Sequence, residues 1–140
     1  MMDIVERYQY PLGEHAAGSL KTASGSQLEG VTLEALLRGN LSADDLRIHA
    51  ETLRRQADIA AGAGYTQLAA NLSRASELAG VPNAELLLFY EALRPGRATF
   101  SELEALAEWL ESHYQAPLNA RLVREAAHAY QARGLLKREA

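Results

Sequence analysis

The sequence predicts an all-α fold, a compact bundle of about five or six helices preceded by an extended N-terminal arm. Three observations predict it. From about Ala50 onward, apolar residues return every three or four positions in successive segments, the spacing of one helix face. Residues that start and stop helices punctuate the chain: Thr32, Ser42, Pro82 and Thr99 open segments, while Gly39, Gly64, Gly80 and Gly134 close them. No run alternates apolar and polar residues in the way a half-buried strand would. The expected division is an arm over residues 1–31 that binds a partner, followed by a helical domain over residues 32–140.

The arm has little periodicity. Tyr10-Pro11-Leu12-Gly13 and Ala23-Ser24-Gly25-Ser26 read as extended or loop segments, yet Tyr8, Tyr10, Leu12, Leu20 and Leu28 are spread through it. A purely solvated tail has no use for these side chains, so the arm is expected to lie on a surface, its own or a partner's. Thr32 caps a short helix to about Arg38, closed by Gly39-Asn40. Ser42 with Asp44 and Asp45 opens another turn, where N-terminal acids suit the helix dipole. The helix from about Ala50 to Ala61 has a narrow line of Leu53, Ala57 and Ala60, small enough for close packing. It stops in Gly62-Ala63-Gly64.

Thr66 to Ala79 repeats the pattern with Leu68, Leu72, Ala75 and Leu78, and Pro82 then opens a helix whose line is Leu86, Leu87, Tyr90 and Leu93. That helix must end near Leu93, because Pro95 lacks an N–H and disfavours the α region at Arg94. Thr99 with Glu102 forms a capping box, so the next helix starts at once. Two arginines, Arg94 and Arg97, therefore sit on a tightly specified corner. Phe100 to about Tyr114 has the strongest periodicity, through Leu103, Leu106, Leu110 and Tyr114. Ala116-Pro117 ends it. The last helix, about Leu118 to Arg133, groups Leu122, Val123, Ala126, Ala127 and Tyr130.

Composition narrows the function. A chain of 140 residues, 48% hydrophobic, can bury a core, and a formal net charge of −4 lacks the basic footprint of a nucleic-acid binder. The absence of cysteine removes disulfides and thiolate chemistry, and fits a reducing cytoplasm. No apolar run approaches the roughly 18 residues of a membrane span. His15, His49, His113 and His128 include no pair at metal-binding helical spacing, and they read as surface or cap residues. Asp44-Asp45 and Glu102/Glu104 read as acids at helix starts rather than acid–base pairs. No Gly-x-Ser-x-Gly elbow is present, and Gly62-Ala63-Gly64 lacks the lysine of a phosphate loop. No catalytic, cofactor-binding or metal residues are therefore expected on this chain. Trp109 reads as an anchor for a partner or as a partly buried core residue. Arginines recur at helix ends, where Arg54–Asp58 and Arg121–Glu125 are spaced for i,i+4 pairs.

These residues resemble a family. Leu46-Arg47-Ile48, Glu51-Thr52-Leu53-Arg54 and Gln56-Ala57 begin a series that continues through Leu68-Ala69, Arg74-Ala75 and Val81-Pro82. It runs on through Ala92-Leu93-Arg94-Pro95, Arg97, Thr99, Leu110-Glu111 and Val123-Arg124-Glu125-Ala126-Ala127. Upstream, Tyr10-Pro11-Leu12 and Lys21-Thr22-Ala23 fall in register. The series is similar to the small subunit of coenzyme-B12-dependent diol and glycerol dehydratases, over about Tyr10 to Lys137.

The resemblance implies a lyase assembled as a dimer of three-subunit protomers, a heterohexamer. Its large and medium subunits hold adenosylcobalamin between them and convert a 1,2-diol such as propanediol, or glycerol, to an aldehyde and water by a radical mechanism. The small subunit implied here is noncatalytic and stabilises the large one. Its partner-facing residues are expected to be Tyr10, Pro11, Leu12, Arg47, Arg54, Arg94 and Arg97. Small subunits of this family that enter a bacterial microcompartment can carry a longer N-terminal extension than the nine residues before Tyr10. That difference argues for the cytoplasm over compartment targeting. The competing expectation is a stand-alone helical adaptor or assembly module without dehydratase activity.

Overall fold

A computed structural model describes residues 9–138, and among them the chain forms seven α-helices and no strand, only an isolated antiparallel bridge between Lys21 and Gln27. The all-α expectation holds for these residues. The first eight residues of the expected arm lie outside the described ones. By its internal contacts the chain separates into two compact units, Met1–Ala79 and Gly80–Ala140.

In the first unit, residues 9–31 run through short turns. Pro11 precedes a single helical turn, α1 (Leu12–His15), and 3₁₀ turns follow at Ala17–Ser19 and Leu28–Gly30. Between them the Lys21–Gln27 bridge is closed by a turn in which the Ser26 carbonyl accepts from the Thr22 N–H at 2.9 Å. Leu12, Leu20 and Thr22 are buried, and Ser19 and Ser24 hydrogen-bond Arg55 and Asp45 of the same unit. Thr32 caps α2 (Leu33–Leu37) by accepting the Ala35 N–H on its hydroxyl at 3.1 Å. Ser42 then opens a 3₁₀ turn at Ala43–Leu46.

α3 (Ala50–Gly62) and α4 (Thr66–Leu78) pack on each other as a helical hairpin. α3 buries Ala57 and Ala60, as its sequence predicts. α4 does not bury the predicted leucine line. Ala69 and Ser76 are its buried residues, while Leu68 and Ala75 are exposed. Close packing selects small side chains, and the hydroxyls find carbonyls within their own helix: Ser76 donates to Ser73 at 2.7 Å and Ser73 to Ala69 at 2.9 Å.

The second unit is built from α5 (Asn83–Ala92), α6 (Phe100–Tyr114) and α7 (Pro117–Arg133). α6 and α7 form its core: Leu103, Ala107 and Leu110 on one, Ala120, Val123 and Ala127 on the other, all essentially inaccessible. Leu122, expected inside, is exposed. The α7 line turns one position further round, so that alanines and a valine meet α6. α5 corrects the expectation more sharply. It buries Phe89, while Leu87, Leu88 and Tyr90 are exposed, because the helix is apolar on nearly every side and packing chooses the face that touches Trp109. The Phe89 and Trp109 rings meet edge-to-face at 5.2 Å, and the Tyr114 hydroxyl hydrogen-bonds the Glu85 carboxylate, tying α6 to α5 a second time.

The corner between α5 and α6 is fastened by the chain's own C-terminal segment. Thr99 and Glu102 form the predicted capping box, with bonds of 3.2 and 2.8 Å. Gly96 sits at φ +79°, where a side chain would be strained, and donates its N–H to the Leu135 carbonyl at 2.7 Å. Lys137 donates to the Ala98 carbonyl at 2.9 Å, and the Tyr130 hydroxyl donates to the Leu93 carbonyl at 2.5 Å. Among the described residues no helix is long and apolar enough to cross a membrane.

Candidate functional site

Several side chains of the kinds that carry enzyme chemistry are engaged in holding helices. Among the described residues no three of His, Asp and Glu stand close enough to hold a metal ion. His49 caps α3, its Nδ1 accepting the Glu51 N–H at 3.1 Å. His113 stacks on Trp109 with ring centres 5.4 Å apart, and His128 meets Phe100 edge-on at 5.1 Å. Asp45 accepts from the Ser24 hydroxyl, from the Ser42 N–H and hydroxyl at 2.6 and 2.9 Å, and from the Ser26 hydroxyl at 3.1 Å. These donors, Ser24 first, hold its carboxyl down to about 2. Glu102 is likewise lowered, chiefly by the Thr99 N–H it accepts. Of the acids at these helix starts, Asp45 and Glu102 close capping boxes, whereas Asp44 faces Arg47 at 3.4 Å and Glu104 faces Arg124 at 3.6 Å.

The arginines divide into local clusters. Neither Arg54–Asp58 nor Arg121–Glu125 forms among the described residues. Pairs on the same helices form instead at Arg55–Glu51, 2.8 Å apart, and at Arg124, which reaches Glu111 at 2.9 Å and Glu104 at 3.6 Å. A long side chain reaches whichever carboxylate its rotamer favours, so spacing alone permits a pair without fixing it. On the corner, Arg94 and Arg97 converge on one carboxylate: Arg94 reaches Glu91 at 3.0 Å and Arg97 reaches it at 3.1 Å. All three side chains are half exposed or more.

The expected partner-facing residues fall in separate places. Tyr10 and Pro11 are exposed at the head of α1, but Leu12 is 3% exposed and belongs to the interior of its unit. Arg47 is exposed and lies 3.4 Å from Asp44, and Arg54 is exposed on α3. Arg94 and Arg97 belong to the second unit. Sequence reasoning missed larger surface features. Leu33, Leu36 and Leu37 of α2 stand exposed in the first unit, as do Leu87, Leu88 and Tyr90 of α5 in the second. Clusters of this kind on a monomer mark interaction surfaces. The legible signal was the run Leu86-Leu87-Leu88-Phe89-Tyr90, which one buried face cannot absorb.

The first unit also carries two adjoining clefts. One, of about 360 Å³, is walled mainly by Leu20, Leu28, Val31, Leu46, Ile48 and Leu53. The other, of about 250 Å³, is lined by Ser19, Lys21, His49, Glu51, Thr52 and Arg55. In neither does a lining hydroxyl hydrogen-bond a lining histidine or carboxylate among the described residues, and both are sized for a few side chains.

A family model described as the dehydratase small subunit matches residues 5–137. Two propanediol dehydratase small subunits, from Citrobacter freundii and Salmonella typhimurium, are each 48% identical to this chain over 128 residues. Each match covers 91% of this chain and 74% of the relative.

Proposed function

This chain belongs to the dehydratase small-subunit family, and from that membership we propose that it is the noncatalytic small subunit of an adenosylcobalamin-dependent diol or glycerol dehydratase. Its partners in this reading are a large and a medium subunit, with three-subunit protomers paired into a dimer in the cytoplasm. The observation that carries the reading is the match to two propanediol dehydratase small subunits along nearly the whole chain.

The arrangement of side chains supports a structural part in that complex. His49, His113 and His128 are engaged in a cap and ring contacts and Asp45 and Glu102 in capping boxes, while α2 and α5 leave apolar side chains exposed. The two described clefts of the first unit, of about 360 and 250 Å³, are smaller than a corrinoid with its nucleotide, which supports placing adenosylcobalamin elsewhere in the complex. We therefore assign the cofactor to the partner subunits, where it would supply the radical that starts dehydration. This chain's own residues shape and hold the assembly. Tyr10, Pro11, Arg47, Arg54, Arg94 and Arg97 are proposed contacts, with Leu12 anchoring the Tyr10–Pro11 segment from inside.

Co-expression with the large and medium subunits tests the reading. A stable three-component complex that turns 1,2-propanediol into propanal is expected, with activity and yield falling when this chain is omitted. A complex equally stable and active without it would overturn the proposal.

A further inference from the structure

The two clefts of the first unit share a wall, and the wall has a definite chemistry. Lys21, His49 and Thr52 line both. On one side lies the apolar cleft, where Leu46 and Ile48 remain largely exposed. On the other lies the polar cleft, whose carboxylate, Glu51, is held by Arg55 at 2.8 Å. Arg55 also donates to the Ser19 hydroxyl at 2.8 Å. Asp45, on the rim of the apolar cleft, is occupied by three serines.

Both carboxylates lining the clefts are therefore engaged. Lys21 forms no ion pair among the described residues. His49 uses Nδ1 to accept the Glu51 N–H, so in the neutral ring its Nε2 carries the hydrogen and donates. The shared wall offers an ammonium, an imidazole N–H and a hydroxyl beside an apolar cavity large enough for one or two side chains. That pattern is complementary to an acceptor carrying negative charge next to an apolar group.

We propose that this double cleft is a socket for one segment of a partner subunit, in which an apolar side chain fills the larger cleft and a neighbouring Asp or Glu carboxylate meets Lys21 and His49. The proposal rests on the assembly reading above and adds to it the place of contact and the chemistry of the contacting segment. An anchor in a pocket beside a paired charge is the kind of contact that dominates an interface.

The test uses the full chain co-expressed with tagged partner subunits. Ile48→Glu and Lys21→Glu should each lower co-purification about tenfold, Lys21→Arg should preserve it, and all three free chains should keep wild-type helical content. Both altered positions are exposed, so the fold does not depend on them. A photo-crosslinking amino acid in place of Ile48 should capture a partner peptide with an apolar residue and an acid within a turn of each other. Variants that co-purify at wild-type level, or a captured peptide without a carboxylate, would overturn the socket while leaving the assembly reading intact. Failure of the wild-type chain to co-purify would overturn the assembly reading, and the socket with it.

Discussion

Truncating two leucines of the second unit distinguishes the observed packing from the face that periodicity predicted. Leu103→Ala and Leu87→Ala delete the same atoms from two helices, one side chain 0% exposed and the other 67% exposed. At Leu103 the loss combines transfer free energy with a cavity, and buried Leu→Ala changes cost about 2–5 kcal/mol. Its surroundings place it in the upper half of that range. Ala107, Ala120 and Ala127 share the buried layer and have no flexible side chain with which to fill a void, so about 3–4 kcal/mol is expected. At Leu87 little apolar area leaves water on folding, and the cost should stay within about 0.5 kcal/mol. The chain has one tryptophan, Trp109, which sits in this unit, so its fluorescence during urea denaturation reports on the second unit. For a unit of this size the Leu103 variant should also melt more than about 10 °C earlier. A loss above about 1.5 kcal/mol at Leu87, or below about 1 kcal/mol at Leu103, would refute the packing described.

Tyr130→Phe removes the donor to the Leu93 carbonyl and should destabilise the second unit by about 1 kcal/mol with an unchanged m-value, read by the same fluorescence titration. The Asp45 carboxyl should titrate near 2 by carboxyl-carbon NMR, and Ser24→Ala should raise that value by removing the first donor. Because its folded value is depressed, the stability Asp45 contributes is present above the ordinary carboxylate range and lost as pH falls through about 2. Reversing charge at both Arg94 and Arg97 should weaken pull-down of the partner subunits while far-UV circular dichroism of the free chain is unchanged, since both guanidinium groups are largely solvated.

Local chemistry was legible in the sequence, and the choice of face was not. The Thr99–Glu102 box, the Thr32 cap, the stop near Leu93 and the Gly134 terminus are fixed by residues within one or two turns, so they could be read from the chain alone. In α4 and α5 the periodicity reading favoured large side chains. The hairpin with α3 instead required Ala69 and Ser76 inside, and Trp109 drew Phe89 inward at the expense of Leu87 and Tyr90. Leu12 is expected on the partner side as one of the apolar residues of the arm, yet it is buried within the chain itself. The socket was illegible for a related reason. It joins residues from Ser19 to Gln56 whose proximity depends on the turns between them.

In the proposed assembly, the charged corner divides affinity from specificity. Its backbone is fixed by Gly96, the capping box and three bonds from the C-terminal segment, so Arg94 and Arg97 are presented in one geometry. Glu91 already takes both, leaving a net charge of about one cation. Exposed pairs of this kind are worth about 0–1 kcal/mol, so exchanging Glu91 for a partner carboxylate changes the free energy of assembly little. It does reject a cationic partner surface and fixes orientation. In that assembly the bulk of the association energy would come from apolar area: the exposed leucines of α2, Leu87 and Leu88 of α5, and the cleft beside Ile48. On that argument, charge reversal at the corner should act mainly on the association rate and its salt dependence, whereas Ile48→Glu should act mainly on dissociation. Surface plasmon resonance on immobilised partner subunits separates the two, and a dissociation rate governed by Arg94 and Arg97 would reverse the assignment.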